Sequence, residues 1–230
     1  MKYRLKQIHC RPWTLNGLSL QLIESHYENN YGGALRRLNA ITEQLESLDF
    51  ATTPNHVLNG LKREELVALN STLLHELYFA SMGGDGQPTK GMAEVLARDF
   101  GSLARWRAEF RAMGYALGGG SGWVLLNYIP RDGRLINQYA AEHSQAVASG
   151  VPILALDMFE HAYHMDFGAN AKAYVETFLR TWTGRRSSNA MRTRARCRGR
   201  GRWSSRSSAT CRGSAWRRSR PCWRPASRCK

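Results

Sequence analysis

The chain has 230 residues, 43% of them hydrophobic and 22% charged, a composition that can bury a core and fits one domain or two small ones. Its formal charge of +15 is not a property of the whole: residues 181–230 hold 16 of the 33 Lys and Arg and no Asp or Glu, leaving 17 basic against 18 acidic residues before them, which excludes a generally basic nucleic-acid-binding body. The first 180 residues contain a single cysteine, Cys10, which excludes an intrachain disulfide framework there. With no run near the roughly 18 apolar residues of a membrane span and no apolar signal core in residues 1–12, a cytoplasmic, non-membrane protein is expected.

In chain order, residues 15–48 carry Leu18, Leu22, Ile23, Leu35, Leu38, Ile41 and Leu45 at helical intervals, interrupted by Gly32 and Gly33. The pattern predicts one long helix kinked or broken at the glycines. Residues 63–79 place Leu66, Leu69, Leu73, Leu74 and Leu77 on one side and are stopped by Gly83 and Gly84, so the two helices form a hairpin. Residues 92–117 give two further helical stretches, broken at Phe100-Gly101-Ser102 with the serine as cap. Residues 123–128 and 135–139 flank the turn Pro130-Arg131-Asp132-Gly133 as a strand hairpin, and residues 151–156 are a third strand. Helices followed by a small antiparallel sheet make an α+β fold. The expected divisions are a helical hairpin domain over 1–84, an α/β metal-binding domain over 85–180, and an Arg-rich disordered tail over 181–230.

The histidines carry the chemistry. His26 lies within the first long helix, His75 late in the second, and the third strand ends in Asp157-Met158-Phe159-Glu160-His161. A carboxylate fixed by a strand end, with a histidine presented four residues later by the following turn, is a two-point metal clamp. Any one of these histidines taken alone reads more readily as a hydrogen-bonded core residue than as a ligand.

The local sequence ties the four positions together. Ile23-Glu24-Ser25-His26-Tyr27 with Leu38-Asn39 beyond it, residues 70–75, Gly120-Ser121-Gly122-Trp123, and Asp157-Met158-Phe159-Glu160-His161-Ala162-Tyr163 closely resemble the iron/manganese superoxide dismutase family in order and spacing. The resemblance spans residues 15–179. It implies a helical N-terminal domain, a C-terminal α/β domain with a three-stranded antiparallel sheet, and one Fe or Mn per subunit held between them by His26, His75, Asp157 and His161. It further implies superoxide as substrate, converted to O2 and hydrogen peroxide by one-electron cycling of the metal, and a homodimer bridged by Glu160. The alternatives are a metal-holding relative with little dismutase activity, or nucleic-acid binding through the basic tail.

Several residues depart from the family pattern around the metal. Ala34 stands where a gateway tyrosine is usual, Asn30 where a second active-site histidine is, Phe79 and Phe159 in place of tryptophans, and His164 in place of a tyrosine. A glutamine that the family sets against metal-bound solvent is also missing, with Ser71 and residues 142–144 in the corresponding places. His143 is therefore the candidate for that role, with an ordinary loop histidine as the alternative, and Tyr31 is a candidate substitute for the gateway residue. The glycine run 118–122 precedes a strand and lacks a following Lys-Ser/Thr, so it reads as close backbone packing and not as a phosphate loop.

Residues 181–230 show no hydrophobic periodicity, and their cysteines are spaced too widely for a zinc module. Residues 181–194 can be back-translated so that a shifted frame reads Val-Asp-Trp-Gln-Ala-Val-Gln-Gln-Arg-Tyr-Glu-Asp-Ala, which resembles the family's closing helix. A frameshifted tail is the expected explanation.

Overall fold

The computed structural model describes residues 2–185; the expected disordered, frameshifted tail lies outside them from residue 186 onward. Helix α1 (Leu20–Ser25) begins at Ser19, whose hydroxyl accepts the Leu22 N–H at 3.0 Å. The chain then passes through a π-helical turn, His26–Tyr31, into α2 (Gly32–Glu46) without leaving helical dihedrals. The expected break at Gly32 and Gly33 is thus replaced by an irregularity one turn earlier. A π-turn inserts a residue into the helical ladder, is frequent at functional sites, and here begins at His26 itself.

Helix α3 (Asn55–Ala80) is longer than the leucine pattern indicates, because Pro54 supplies a fixed φ just ahead of its first turn and Gly60 is tolerated within it. Asp49 shapes the loop before it, accepting from the Ala51 N–H and the Thr52 hydroxyl. Leu38, Ile41 and Leu45 of α2, spaced three and four residues apart, pack on Ala68 of α3 and form a small hairpin core. Helices α4 (Lys90–Phe100) and α5 (Leu103–Ala116) follow, capped by Thr89 and by the expected Ser102.

Strands β1 (Trp123–Ile129), β2 (Arg134–Ala140) and β3 (Val151–Asp157) form an antiparallel sheet in the order β2-β1-β3. The β1–β2 turn closes as read from the sequence, with Gly133 at φ +69° and its N–H donating to the Ile129 carbonyl. Strand β1 is central and buried along nearly its whole length, so its run of Trp123 to Leu126 reads as continuous rather than alternating. Gly122, at φ +137°, shows why the glycine run is there: a Cβ would come within 2.3 Å of the Ala140 carbonyl oxygen. The α+β architecture therefore holds.

After a short α6 (His164–Phe167), helix α7 (Ala171–Thr181) closes the described chain. Thr181 and Trp182, at the start of the compositionally distinct segment, are buried, and Trp182 packs on Trp106 with ring centroids 5.2 Å apart. One continuous core joins α1, the end of α3, α5, the sheet and α7. It is this core that carries α1, α3 and β3 to a common point.

Candidate metal centre

Four separate pieces of chain deliver the site. The start of α1 is bolted to α6: the Ser19 backbone N–H and hydroxyl both donate to the Asp166 carboxylate, at 2.7 and 2.6 Å. His26 at the far end of α1 is thereby held over the turn that carries His161. On α3, the Nδ1–H of His75 donates to the Ser71 carbonyl at 2.7 Å, which fixes the tautomer and leaves the Nε2 lone pair pointing away from the helix. Asp157 ends β3 opposite Trp123. One of its oxygens, Oδ1, accepts the Phe159 N–H at 2.9 Å, leaving Oδ2 for other partners.

The three imidazoles surround that oxygen. The Nε2 atoms of His26, His75 and His161 lie 3.2, 3.5 and 3.3 Å from Asp157 Oδ2, and donor atoms from all four residues fall within 4.8 Å of one another. Two donors each about 2.1 Å from a shared ion stand roughly 3 Å or slightly more apart, so these separations fit common ligation. Burial makes the case stronger. His26, His75 and Asp157 are sequestered from solvent, and neither ring nitrogen of His26 nor Nε2 of His75 has a hydrogen-bond partner. Buried nitrogens left without partners are costly unless something else takes their lone pairs.

Electrostatics point the same way. Burial pushes the His26 pKa down, and burial with the neighbouring His26 takes His75 down to about 3, so both are neutral donors at pH 7. Burial opposes ionisation of Asp157, but the imidazoles of His161 and His26 beside it outweigh that and hold the carboxyl well below its usual range. Three imidazoles and one carboxylate, with no thiolate, are a donor set suited to Fe or Mn.

A cavity of about 340 Å3 opens onto this cluster at His75 and His161. Ala34 and Asn30 line it, as do Ser71, Arg37 and His143. His143 is fixed on two sides: its Nδ1 accepts the Trp123 indole N–H at 2.9 Å, and its carbonyl accepts from Asn70 Nδ2 at 2.7 Å. Burial lowers its pKa as well. Phe159 stands between two imidazoles, nearly parallel to His143 (centroids 4.7 Å apart) and to His161 (5.6 Å). Phe79 meets His26 edge-on at 5.1 Å.

Tyr31 is brought to the cluster from behind. Its ring lies 6.4 Å from that of His75, but its hydroxyl accepts the Lys6 backbone N–H at 2.9 Å and donates to Glu76 Oε1 at 3.2 Å, on a different cavity from the one that His143 lines. Glu160, on the turn beside His161, and His164, at the start of α6, are exposed.

Residues 88–183 match the family model described as iron/manganese superoxide dismutases, C-terminal domain. Over 179 residues, 78% of this chain and 91% of the relative, it is 61% identical to a superoxide dismutase [Fe] of Cupriavidus metallidurans. The chain belongs to the iron/manganese superoxide dismutase family. Among more distant members are a superoxide dismutase [Fe] of Aquifex aeolicus, 31% identical over 75% of this chain and 83% of the relative, and a superoxide dismutase [Mn] of Halobacterium salinarum, 33% identical over 70% and 80%. The family therefore includes relatives named for either metal. The match to residue 183 also takes in Trp182, in keeping with its burial.

Sequence reasoning missed several residues around the site. Arg37 lines the cavity, Asn70 holds the loop that carries His143, and Tyr78 and Tyr174 share a buried hydroxyl contact of 3.2 Å close to His26. Asn70 and Tyr78 stand five residues before and three after His75 on the same helix. Only the partner loops and α7, distant in sequence, reveal what they touch.

Proposed function

We propose that the protein is a superoxide dismutase whose Fe or Mn, one per subunit, is held by His26, His75, Asp157 and His161. The observation that carries the reading is the convergence of three imidazole Nε2 atoms within 3.5 Å of one buried carboxylate oxygen, two of them without any other partner. When bound, the metal supplies the one-electron acceptor and donor that lets two superoxide ions and two protons become O2 and hydrogen peroxide.

The chain's own residues govern the rest. The Asp157 carboxylate gives the site one fixed negative charge, and the Phe159 N–H holds its orientation. His75 is kept in one tautomer by Ser71. His143, neutral and with Nδ1 engaged by Trp123, carries its proton on Nε2; on the cavity wall it is the group to donate a hydrogen bond to solvent or substrate there and so to orient the solvent from which the protons of peroxide come. Tyr31 acts as a positioning residue, its ring against His75 and its hydroxyl tethered away from the cavity. A homodimer joined through the exposed Glu160 beside His161 belongs to the same reading, as do the domain limits 1–84 and 85–180. Among the described residues no helix is long and apolar enough to cross a membrane; a cytoplasmic setting is part of the proposal.

The test is elemental analysis of Fe, Mn and Zn in the full chain beside an assay of superoxide removal. About one Fe or Mn per subunit with activity, both lost in His26→Ala, His75→Ala, Asp157→Ala and His161→Ala, is the expected result. Activity that persists without bound Fe or Mn overturns the reading.

A further inference from the structure

The cavity that opens onto His75 and His161 is larger than a diatomic anion needs. At about 340 Å3 it reaches the lower end of small-molecule sites and has room for roughly ten waters at about 30 Å3 each. The room comes from small side chains on two helices, Gly33 and Ala34 on α2 and Ser71 on α3. Its charge is also simple. Arg37 is the one permanently charged side chain lining it among the described residues.

Arg37 is well placed to recognise a flat anion. It sits one helical turn after Ala34 on α2, and its side chain, 58% exposed, reaches Glu64 of α3 in an ion pair. A guanidinium presents parallel N–H donors that match the two oxygens of a carboxylate. Glu64 is not on the cavity wall, so it acts as an internal competitor that occupies part of that fork from outside.

We infer that this cavity is a binding site for small organic carboxylates, seated against Arg37 in the space that Ala34 leaves. The inference places its ligand at the mouth of the proposed metal centre, so it rests on that reading only for the consequence that a bound carboxylate obstructs access of superoxide. Binding itself requires Arg37 and the cavity, and Glu64 sets its strength.

Benzoate is the probe, and saturation-transfer NMR on the full chain as purified is the measurement. Transfer to benzoate is expected with the wild type, weakened roughly tenfold in apparent affinity by Arg37→Gln, as the loss of a charge-assisted contact implies. Ala34→Tyr, which fills the space without touching the charge, weakens it comparably, and Glu64→Gln strengthens it several-fold. Thermal melts verify that each variant is folded. Absence of transfer with the wild type, or transfer indifferent to all three substitutions, overturns the inference. Azide added to the iron-loaded chain reports on the metal centre separately, through its visible absorption. An azide response without benzoate binding sinks the carboxylate site alone, whereas benzoate binding without an azide response sinks the metal reading alone.

Discussion

The indole N–H of Trp123 donates to Nδ1 of His143 at 2.9 Å, and through that bond the first residue of the central strand decides which nitrogen of the cavity histidine carries a proton. An imidazole has one donor and one acceptor when neutral. With the acceptor taken by Trp123, the donor is Nε2. Glutamine can take over both roles, its Oε1 accepting from Trp123 and its amide donating into the cavity, whereas leucine can do neither. His143→Gln is therefore expected to keep most of the superoxide-removal rate, and His143→Leu to lose about 10²-fold or more with its metal retained, the usual range for removing a positioned hydrogen-bond donor at a reacting site. The paired measurement is metal content and activity on both variants. Equal activity in His143→Leu and the wild type would reduce His143 to a loop residue.

The buried imidazoles make the metal-free protein sensitive to acid. His75 titrates near 3 in the fold, and burial lowers His26 too, while both take up protons near 6.5 once unfolded. The unfolded state therefore binds more protons as pH falls through 6.5, and stability falls with it, by about 1.4 kcal/mol per pH unit for each such group. For His75 the loss continues to about pH 3. Asp157, held ionised in the fold, adds to it below about pH 4, where the free carboxyl would protonate. Urea midpoints of the metal-free chain at pH 7.5, 6 and 5 should fall steadily, with bound metal delaying the fall because protons must then displace it. Midpoints that stay level from pH 7.5 to 5 would contradict neutral, buried His26 and His75.

Much of this cluster was legible because the proposed ligands sit in dense local motifs. Asp157 and His161 are four residues apart, so a strand end and a turn suffice to place both. His26 and His75 lie on helices with clear apolar faces, whose pairing as a hairpin follows from loop length and periodicity. What the sequence did not disclose depends on contacts between distant segments. Arg37 reads as an ordinary exposed helix residue until α3 is laid beside it, and the tether on Tyr31 exists only because residues 2–8 fold back across the hairpin. The π-turn at His26 was hidden for another reason: Gly32 and Gly33 are the obvious helix breakers, yet both lie within a continuous helix and the irregularity falls in the turn before them.

The tether itself is a structural clamp. Tyr31 accepts from the Lys6 backbone and donates to Glu76, Tyr27 donates to the Lys6 carbonyl at 2.9 Å, and the Lys6 ammonium pairs with Glu76. Burial raises the Tyr31 hydroxyl to a pKa of about 12, so it remains a donor at every working pH. Tyr31→Phe keeps the ring against His75 and removes only the hydroxyl. It should cost about 0.5–1.5 kcal/mol of stability, the net worth of a typical hydrogen bond, while activity per bound metal changes less than about twofold. Tyr31→Ala also removes the ring and should lower activity per metal further. A tenfold loss in Tyr31→Phe at full metal occupancy would place the hydroxyl in the proton path after all.

The end of the described chain is held as firmly as its beginning. Trp182 is wholly buried against Trp106, Met82 pairs with it in an isolated antiparallel bridge, and three backbone bonds lock the strand-like segment to the end of α3: Gly84 N–H to Thr181, Gly86 N–H to Trp182, and Thr183 N–H to Ser81. Gly84 is needed for that approach, since a Cβ there would come within 2.4 Å of the Trp182 carbonyl oxygen. Ending the chain at residue 180 removes all of this and opens a cavity the size of an indole. The cost should match a buried Trp→Ala change, about 3–5 kcal/mol, against a total of roughly 5–15 kcal/mol for a domain. A chain ending at residue 185 should therefore melt well above one ending at 180, and Trp182→Ala in the full chain should reproduce most of the difference. If the two truncations melt together, Trp182 contributes nothing to the core, and the folded body ends where the acidic residues do.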